Sequence, residues 1–75
     1  MKKHSKANPL SLLSRREYQV LEFVVTGRTS KEIAAILGLK PSSVFTYRSR
    51  IMSKLEIDDI PSLVRLAIRH HLIRP

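Results

Sequence analysis

Residues 30–55 form the stretch SKEIAAILGLKPSSVFTYRSRIMSKL, which contains the strongest indication of the fold. Its apolar residues recur at helical spacing on both sides of Gly38. Gly38 can take the positive φ that ends a helix, and Pro41 suits a first helical turn, where its missing N–H costs nothing. Ala34 is small at the point where two packed helices would cross. The stretch therefore predicts two short helices joined by a tight turn, which is the geometry of a helix-turn-helix.

Capping patterns predict where the first two helices begin. Ser14 and Glu17 have the spacing of a capping box, in which each side chain bonds the other residue's backbone N–H. The helix that starts there would end at Gly27. Thr29 and Glu32 repeat the pattern at the start of the second helix.

A fourth helix is expected after the stretch. Asp59 can cap it, Pro61 fits its first turn, and Leu63, Ala67 and His70 would face inward. No run alternates long enough to be a strand. We therefore predict an all-α fold, a four-helix bundle that contains the helix-turn-helix.

The composition sets the boundaries of the domain and excludes some kinds of site. Residues 1–12 show no sustained periodicity, so we interpret them as a flexible lead-in or linker and residues 13–75 as one domain. The chain has no cysteine and only three histidines. Thiolate sites are therefore excluded and a zinc site is not expected, and we expect no metal, no cofactor and no membrane segment.

The charge favours a polyanionic partner. Fourteen Lys and Arg against six Asp and Glu give a formal net charge of +8. Residues 39–55 contain four basic residues and no acidic one, Lys40, Arg48, Arg50 and Lys54. A basic block inside a helical segment is typical of a nucleic-acid-binding surface, although a merely soluble basic protein is the alternative.

The third helix separates into two faces at about 100° per residue. Val44, Ile51 and Leu55 lie together on the core side. The opposite side carries small hydroxyl residues and one aromatic, which suit a helix that enters the major groove. We predict base contacts from Phe45, Thr46 and Ser49. For Phe45 the alternative is a rim contact that completes the core.

Contacts to DNA phosphates are expected around this face and at the starts of the second and third helices, where unpaired N–H groups favour anions. The predicted residues are Thr29, Ser30, Lys31, Lys40, Ser42, Ser43, Tyr47, Arg50 and Lys54. A buried core position is the alternative for Tyr47.

Three runs together resemble the LuxR/FixJ-type DNA-binding domain, the output domain of many bacterial response regulators. They are LSRREYQVL (13–21), GRTSKEIA (27–34) and SSVFTYRSRIMSKL (42–55), and the resemblance covers about residues 13–73. It implies a tetra-helical effector domain with the third helix in the major groove and the fourth helping dimerisation. The family's base-reading positions fall on Phe45, Thr46 and Ser49, and its phosphate contacts on Ser43, Tyr47, Arg50 and Lys54.

Two positions depart from the family pattern. Lys40 stands where Ser or Thr is usual, so the third helix loses a hydroxyl cap but gains a cation near DNA. Tyr47 stands where histidine is common, and it keeps a polar tip for phosphate.

The fourth helix offers a surface for a second copy of the chain. Val64, Ile68 and His71 would share one face at spacings of four and seven residues. We expect a homodimer through this face. Packing under the N-terminal segment is the alternative.

We therefore predict a cytoplasmic, sequence-specific DNA-binding domain of a bacterial transcription regulator, partnered by double-stranded DNA. The resemblance also implies a receiver domain in the full-length protein and allows a contact with RNA polymerase. An enzyme is not expected, because no nucleophile motif occurs. The alternatives are the promoter-reading region of a sigma factor and, in a different class, a basic protein-interaction module.

Overall fold

The structure, a computed structural model, describes residues 9–72. Four α-helices follow a short 3-10 helix, and no strand occurs in this part of the chain. The 3-10 helix is Pro9–Leu12, and the α-helices are α1 Arg15–Val25, α2 Ser30–Leu37, α3 Pro41–Leu55 and α4 Ile60–Arg69. The predicted all-α fold with a helix-turn-helix, formed by α2 and α3, is confirmed.

Both capping boxes form as predicted. At α1, the backbone N–H of Glu17 donates to Ser14 Oγ over 3.2 Å, and the N–H of Ser14 donates to Glu17 Oε1 over 2.8 Å. At α2, the reciprocal bonds between Thr29 and Glu32 are 3.1 and 2.9 Å long. These bonds satisfy N–H groups that a helix start otherwise leaves free, and they fix where the two helices begin.

The remaining helix ends also follow the local sequence. Gly38 ends α2 with a φ of 69°, in the left-handed region that favours glycine. Pro41 opens α3, and Lys40 before it makes no side-chain capping bond. Asp59 caps α4 by accepting from the backbone N–H of Ser62 over 2.9 Å.

The core lies where the four helices meet. Helix α3 packs against both α1 and α2, and α1 also packs against α4. The largest fully buried side chains are Val20, Leu21, Ile33, Val44 and Ile51, and α4 adds Leu63 and Ala67. Because one stripe of α3 is enclosed by the other helices, its opposite stripe faces outward.

The packed domain extends further toward the N-terminus than the sequence indicated. The sequence predicts a lead-in that includes residues 9–12, but the structure has a 3-10 helix there, in which Leu10 is only 5% exposed. The 3-10 helix contacts α3, and burial against it removes the apolar Leu10 from water. Residues 1–8 of the predicted lead-in lie outside the described residues.

The end of α4 also differs from the expectation. The helix stops at Arg69, His70 is its C-cap, and His71 has a φ of 63°. His71 therefore lies beyond the helix, and helical spacing does not place it on one face with Val64 and Ile68. His70 is half-buried, whereas the inward positions of Leu63 and Ala67 are confirmed.

Candidate nucleic-acid interface

Helix α3 presents a polar outer face with one large aromatic side chain on it. Val44 and Ile51 are 0% and 1% exposed, whereas Phe45 is 58% exposed. Thr46 and Ser49 are exposed on the same side of the helix. The predicted division of α3 into a buried and an outward face is therefore confirmed, and all three predicted base-reading side chains reach solvent.

The Thr46 hydroxyl already has one partner in the free domain. Its Oγ1 donates to the backbone carbonyl of Ser42 over 3.1 Å, one helical turn earlier. The oxygen can still accept a hydrogen bond, and the rotatable hydroxyl can exchange the carbonyl for a base acceptor.

Three predicted phosphate-contacting residues meet in one shallow groove beside the start of α3. Ser43, Tyr47 and Arg50 line it together with Leu39 and Thr46. The Cζ atom of Arg50 lies 5.9 Å from the centroid of the Tyr47 ring, within the range of a cation–π contact. Tyr47 packs its ring against the core and is only partly exposed. A cation and hydroxyl groups are thus gathered where an anion can approach.

The starts of α2 and α3 each carry a further positive charge. Lys31 follows the cap of α2, and Lys40 precedes Pro41 at α3. Both lysines are exposed, as are Thr29 and Ser42. Each helix start also carries the partial positive charge of the helix dipole, which favours phosphate.

Two predicted phosphate contacts are already engaged inside the domain. Ser30 is buried, and its Oγ accepts from Arg48 Nη1 over 2.8 Å. The ammonium of Lys54 lies 2.8 Å from Oε1 of Glu17, whose side chain is almost fully enclosed. Neither pairing could be predicted from a local pattern, because the partners are 18 and 37 residues apart in the chain.

Arg48 has a role that the sequence argument missed. Besides its bond to Ser30, its guanidinium carbon lies 6.0 Å from the centroid of the Phe45 ring, one turn earlier on α3. Arg48 therefore joins the start of α2 to the helix that carries the outward face. The three-residue spacing from Phe45 was a detectable signal for the ring contact, whereas the Ser30 contact needed the fold.

The carboxyl group of Glu17 is electrostatically unusual. The hydrogen bond from Lys54 is the main cause that lowers its pKa below the ordinary 4.5, and the bond from the Ser14 N–H adds to it. Burial opposes this shift, because it disfavours the charged form. The net lowering means that the folded domain stabilises the carboxylate.

The predicted dimer face on the fourth helix is only partly exposed, and its three residues do not share one surface of the helix. Val64 packs against the core, whereas Ile68 is half-exposed and outside that packing, and His71 is exposed beyond the helix.

Among residues 9–72, no cluster of His, Asp and Glu could hold a metal ion. No helix in the same range is long and apolar enough to cross a membrane.

Comparison with known proteins gives consistent matches. A family model described as "Bacterial regulatory proteins, luxR family" matches residues 11–67. The transcriptional regulatory protein FixJ of Azorhizobium caulinodans is 46% identical over 56 residues, which is 75% of this chain and 26% of that protein. The response regulator UvrY of Escherichia coli K12 is 42% identical over 65 residues, or 87% of this chain and 30% of UvrY.

A solved structure agrees with these matches. Full-length FixJ from B. japonicum superposes with a TM-score of 0.83 and 32% identity, covering 95% of this chain and 35% of that chain. The chain thus spans about a third or less of the length of these relatives.

Proposed function

Since the chain belongs to the luxR family of bacterial regulatory proteins, which are DNA-binding transcription regulators, we propose that α3 enters the major groove of double-stranded DNA and reads its sequence. The observation that carries the proposal is the exposure of Phe45, 58%, on a helix whose Val44 and Ile51 are fully buried. The ring stands beside the exposed hydroxyl groups of Thr46 and Ser49 on the same side of the helix, so this face offers both an apolar and hydrogen-bonding contacts of the kinds that base edges take. In the groove, Phe45 would contact a thymine methyl while Thr46 and Ser49 hydrogen-bond base edges.

Phosphate contacts would position the helix without reading sequence. We assign them to the seven predicted residues other than Ser30 and Lys54, whose side chains pair with Arg48 and Glu17. These are Thr29, Lys31, Lys40, Ser42, Ser43, Tyr47 and Arg50. The groove lined by Ser43, Tyr47 and Arg50 supports a phosphate at one edge of α3, and the start of α2 supports a second.

A second copy of the domain would supply the specificity that one copy lacks. A single module buries roughly 600–1,000 Å² on DNA, so it binds weakly alone. We propose that α4 pairs two copies through the half-exposed Ile68, with Val64 beside it, on inverted or direct half-sites. His71 is a weaker candidate because it lies beyond the helix.

The relatives are about three times as long as this chain, which bears on the domains expected in the full-length protein. UvrY is a response regulator, and this chain matches 30% of it. We therefore propose a receiver domain in the full-length protein, a cytoplasmic location and a contact with RNA polymerase during regulation. The presence of α4 after α3 disfavours the sigma-factor alternative, because the promoter-reading region of a sigma factor normally ends soon after its recognition helix.

The direct test is selection of bound duplexes from a random library with the purified chain. We expect enrichment of a short motif, repeated at the spacing of one helical turn of DNA or a multiple of it. Affinity for the selected duplex should fall steeply with salt, because phosphate neutralisation releases counterions. Failure to bind any duplex at low salt would overturn the proposal.

A further inference from the structure

One ion pair joins the first turn of α1 to the last turn of the DNA-facing helix. Lys54 Nζ lies 2.8 Å from Glu17 Oε1, and the side chains are 41% and 4% exposed. The same carboxylate oxygen accepts the Ser14 N–H over 2.8 Å. The enclosed carboxylate of Glu17 is thus paired with the half-exposed ammonium of Lys54, which the sequence analysis predicts to contact a DNA phosphate.

We infer that Glu17 is a positioning residue for α3 and that it withholds the charge of Lys54 from DNA. The inference rests on the proposed function, since it concerns which cations of α3 neutralise phosphates. It assigns Lys54 a structural role and leaves Arg50 as the cation through which this part of α3 contacts the DNA backbone.

The burial of Glu17 explains why the pair should persist on DNA. If Lys54 turned to a phosphate, the enclosed carboxylate would lose its positively charged partner and keep its hydrogen bonds from Ser14, which carries no charge. An unpaired charge in an enclosed site is strongly unfavourable. A phosphate at the edge of the groove is hydrated and screened by salt. A contact between Lys54 and such a phosphate would therefore stabilise the complex less than breaking the ion pair with Glu17 would destabilise it.

Arg50 provides the contrast on the same helix. It is exposed, and no acidic side chain among residues 9–72 forms an ion pair with it. Its guanidinium lies beside the Tyr47 ring, which leaves its N–H donors free to approach phosphate.

The pair also fixes how α3 sits against α1. Glu17 is held in place by the capping box of α1. Lys54 lies one turn beyond Ile51, which is 1% exposed. A packed side chain and an ion pair at successive turns restrain both the rotation and the sliding of α3, and hence the placement of its outward face.

The experiment measures the slope of log affinity against log salt on one selected duplex by fluorescence anisotropy. It compares the unmodified chain with Lys54→Gln, Glu17→Gln, the double variant and Arg50→Gln. Glutamine at position 17 can still complete the capping box, so Glu17→Gln should fold, which circular dichroism checks.

The expected changes in slope differ in direction from one variant to the next. Arg50→Gln should flatten the slope by about 0.9 unit, the change for one lost phosphate contact. Lys54→Gln should leave it nearly unchanged while lowering the melting temperature. Glu17→Gln should steepen it by up to about 0.9 unit, because Lys54 is released, and adding Lys54→Gln to Glu17→Gln should reverse that steepening.

Two results would overturn the inference. One is a Lys54→Gln slope as flat as that of Arg50→Gln. The other is a Glu17→Gln slope equal to that of the unmodified chain, which decides the matter even where Lys54→Gln fails to fold. If the unmodified chain bound no duplex, the proposed function itself would have failed, which is a separate outcome.

Discussion

At the scale of single residues, the Glu17 carboxylate connects acidity to stability. Its hydrogen bonds from Lys54 and Ser14 lower its pKa below 4.5 in the folded chain. The unfolded chain therefore binds more protons as pH falls below about 4.5, and protonation favours unfolding. The stability that this group contributes is fully present above the unfolded pKa and is lost as pH falls through the folded pKa.

We expect the melting-temperature advantage of the unmodified chain over Glu17→Gln to be largest near pH 7 and to shrink as the pH falls below the ordinary pKa of 4.5 and through the lower pKa of the folded chain. Asp59, whose pKa is lowered by the Ser62 N–H, shifts both proteins alike and cancels in the comparison. Thermal unfolding followed by circular dichroism at several pH values measures the difference. An advantage that did not change with pH would contradict the role given to the carboxylate.

Thr46 tests base recognition at the same scale. Because its hydroxyl is exposed on the outer face of α3 and can exchange Ser42 for a base, Thr46→Ala should relax the preference at one or two base pairs. A bidentate base contact is worth about 1–3 kcal/mol of discrimination, so the single hydroxyl of Thr46 should contribute about 1 kcal/mol, at the low end of that range. The salt slope should stay the same, since no charge is removed.

Ser53→Ala is the matched control for Thr46→Ala. Ser53 is exposed near the end of the same helix and is not assigned a contact, so its removal should leave the selected motif unchanged. Binding selections on both variants give the comparison. An identical motif for Thr46→Ala and the unmodified chain would remove Thr46 from the base-reading set.

At the scale of the helix, the N-cap of α3 carries a positive charge but provides no side-chain hydrogen bond to the helix start. Lys40 stands at the N-cap and makes no side-chain capping bond. Lys40→Ser should therefore raise the free energy of unfolding by about 1 kcal/mol through a new cap. It should also flatten the salt slope by about 0.9 unit if Lys40 contacts a phosphate.

Lys31→Ser separates these two effects. It removes the same charge near the start of α2, where Thr29 already caps the helix, so it should flatten the slope without raising stability. Urea unfolding and salt titrations measure both quantities. Equal stability of Lys40→Ser and the unmodified chain would show that the missing cap costs α3 nothing.

The helix ends also show which parts of the fold were open to sequence reasoning. The caps at Ser14, Thr29 and Asp59 depend on residues three apart, so a local pattern contains the whole interaction. The outward face of α3 was predictable for the same reason, because helical geometry fixes it once Val44 and Ile51 are assigned to the core.

The contacts that sequence reasoning missed join residues distant in the chain. Glu17 meets Lys54, and Ser30 meets Arg48, only after α1, α2 and α3 have packed. The capping box already explains a glutamate at position 17, so the sequence pattern does not indicate that its carboxylate also pairs with Lys54. Leu10 was missed because one apolar residue in a polar segment has no periodicity, and its burial depends on where α3 lies.

At the scale of the whole molecule, the two proposed contact surfaces lie on different helices. Helix α3 carries Phe45 and the hydroxyl residues on one outward face, while α4 packs on α1 through other residues and keeps its own outer face. In the proposed function α3 contacts DNA and α4 contacts a second copy, so the two contacts use residues of different helices. Cooperative binding to two half-sites should then depend on α4 alone.

Ile68→Glu tests this separation, because Ile68 is half-exposed on α4 and does not pack against the core, whereas Val64 does. We expect unchanged helical content and unchanged affinity for a single half-site. Cooperativity on a two-half-site duplex should be lost, with a drop in affinity on the order of tenfold, or ~1.4 kcal/mol. Ile36→Glu is the control: it places the same charge on α2, at an isoleucine that is 49% exposed, and should keep cooperativity. Gel-shift titrations on one-site and two-site duplexes report both quantities, and retained cooperativity in Ile68→Glu would place the contact between copies elsewhere.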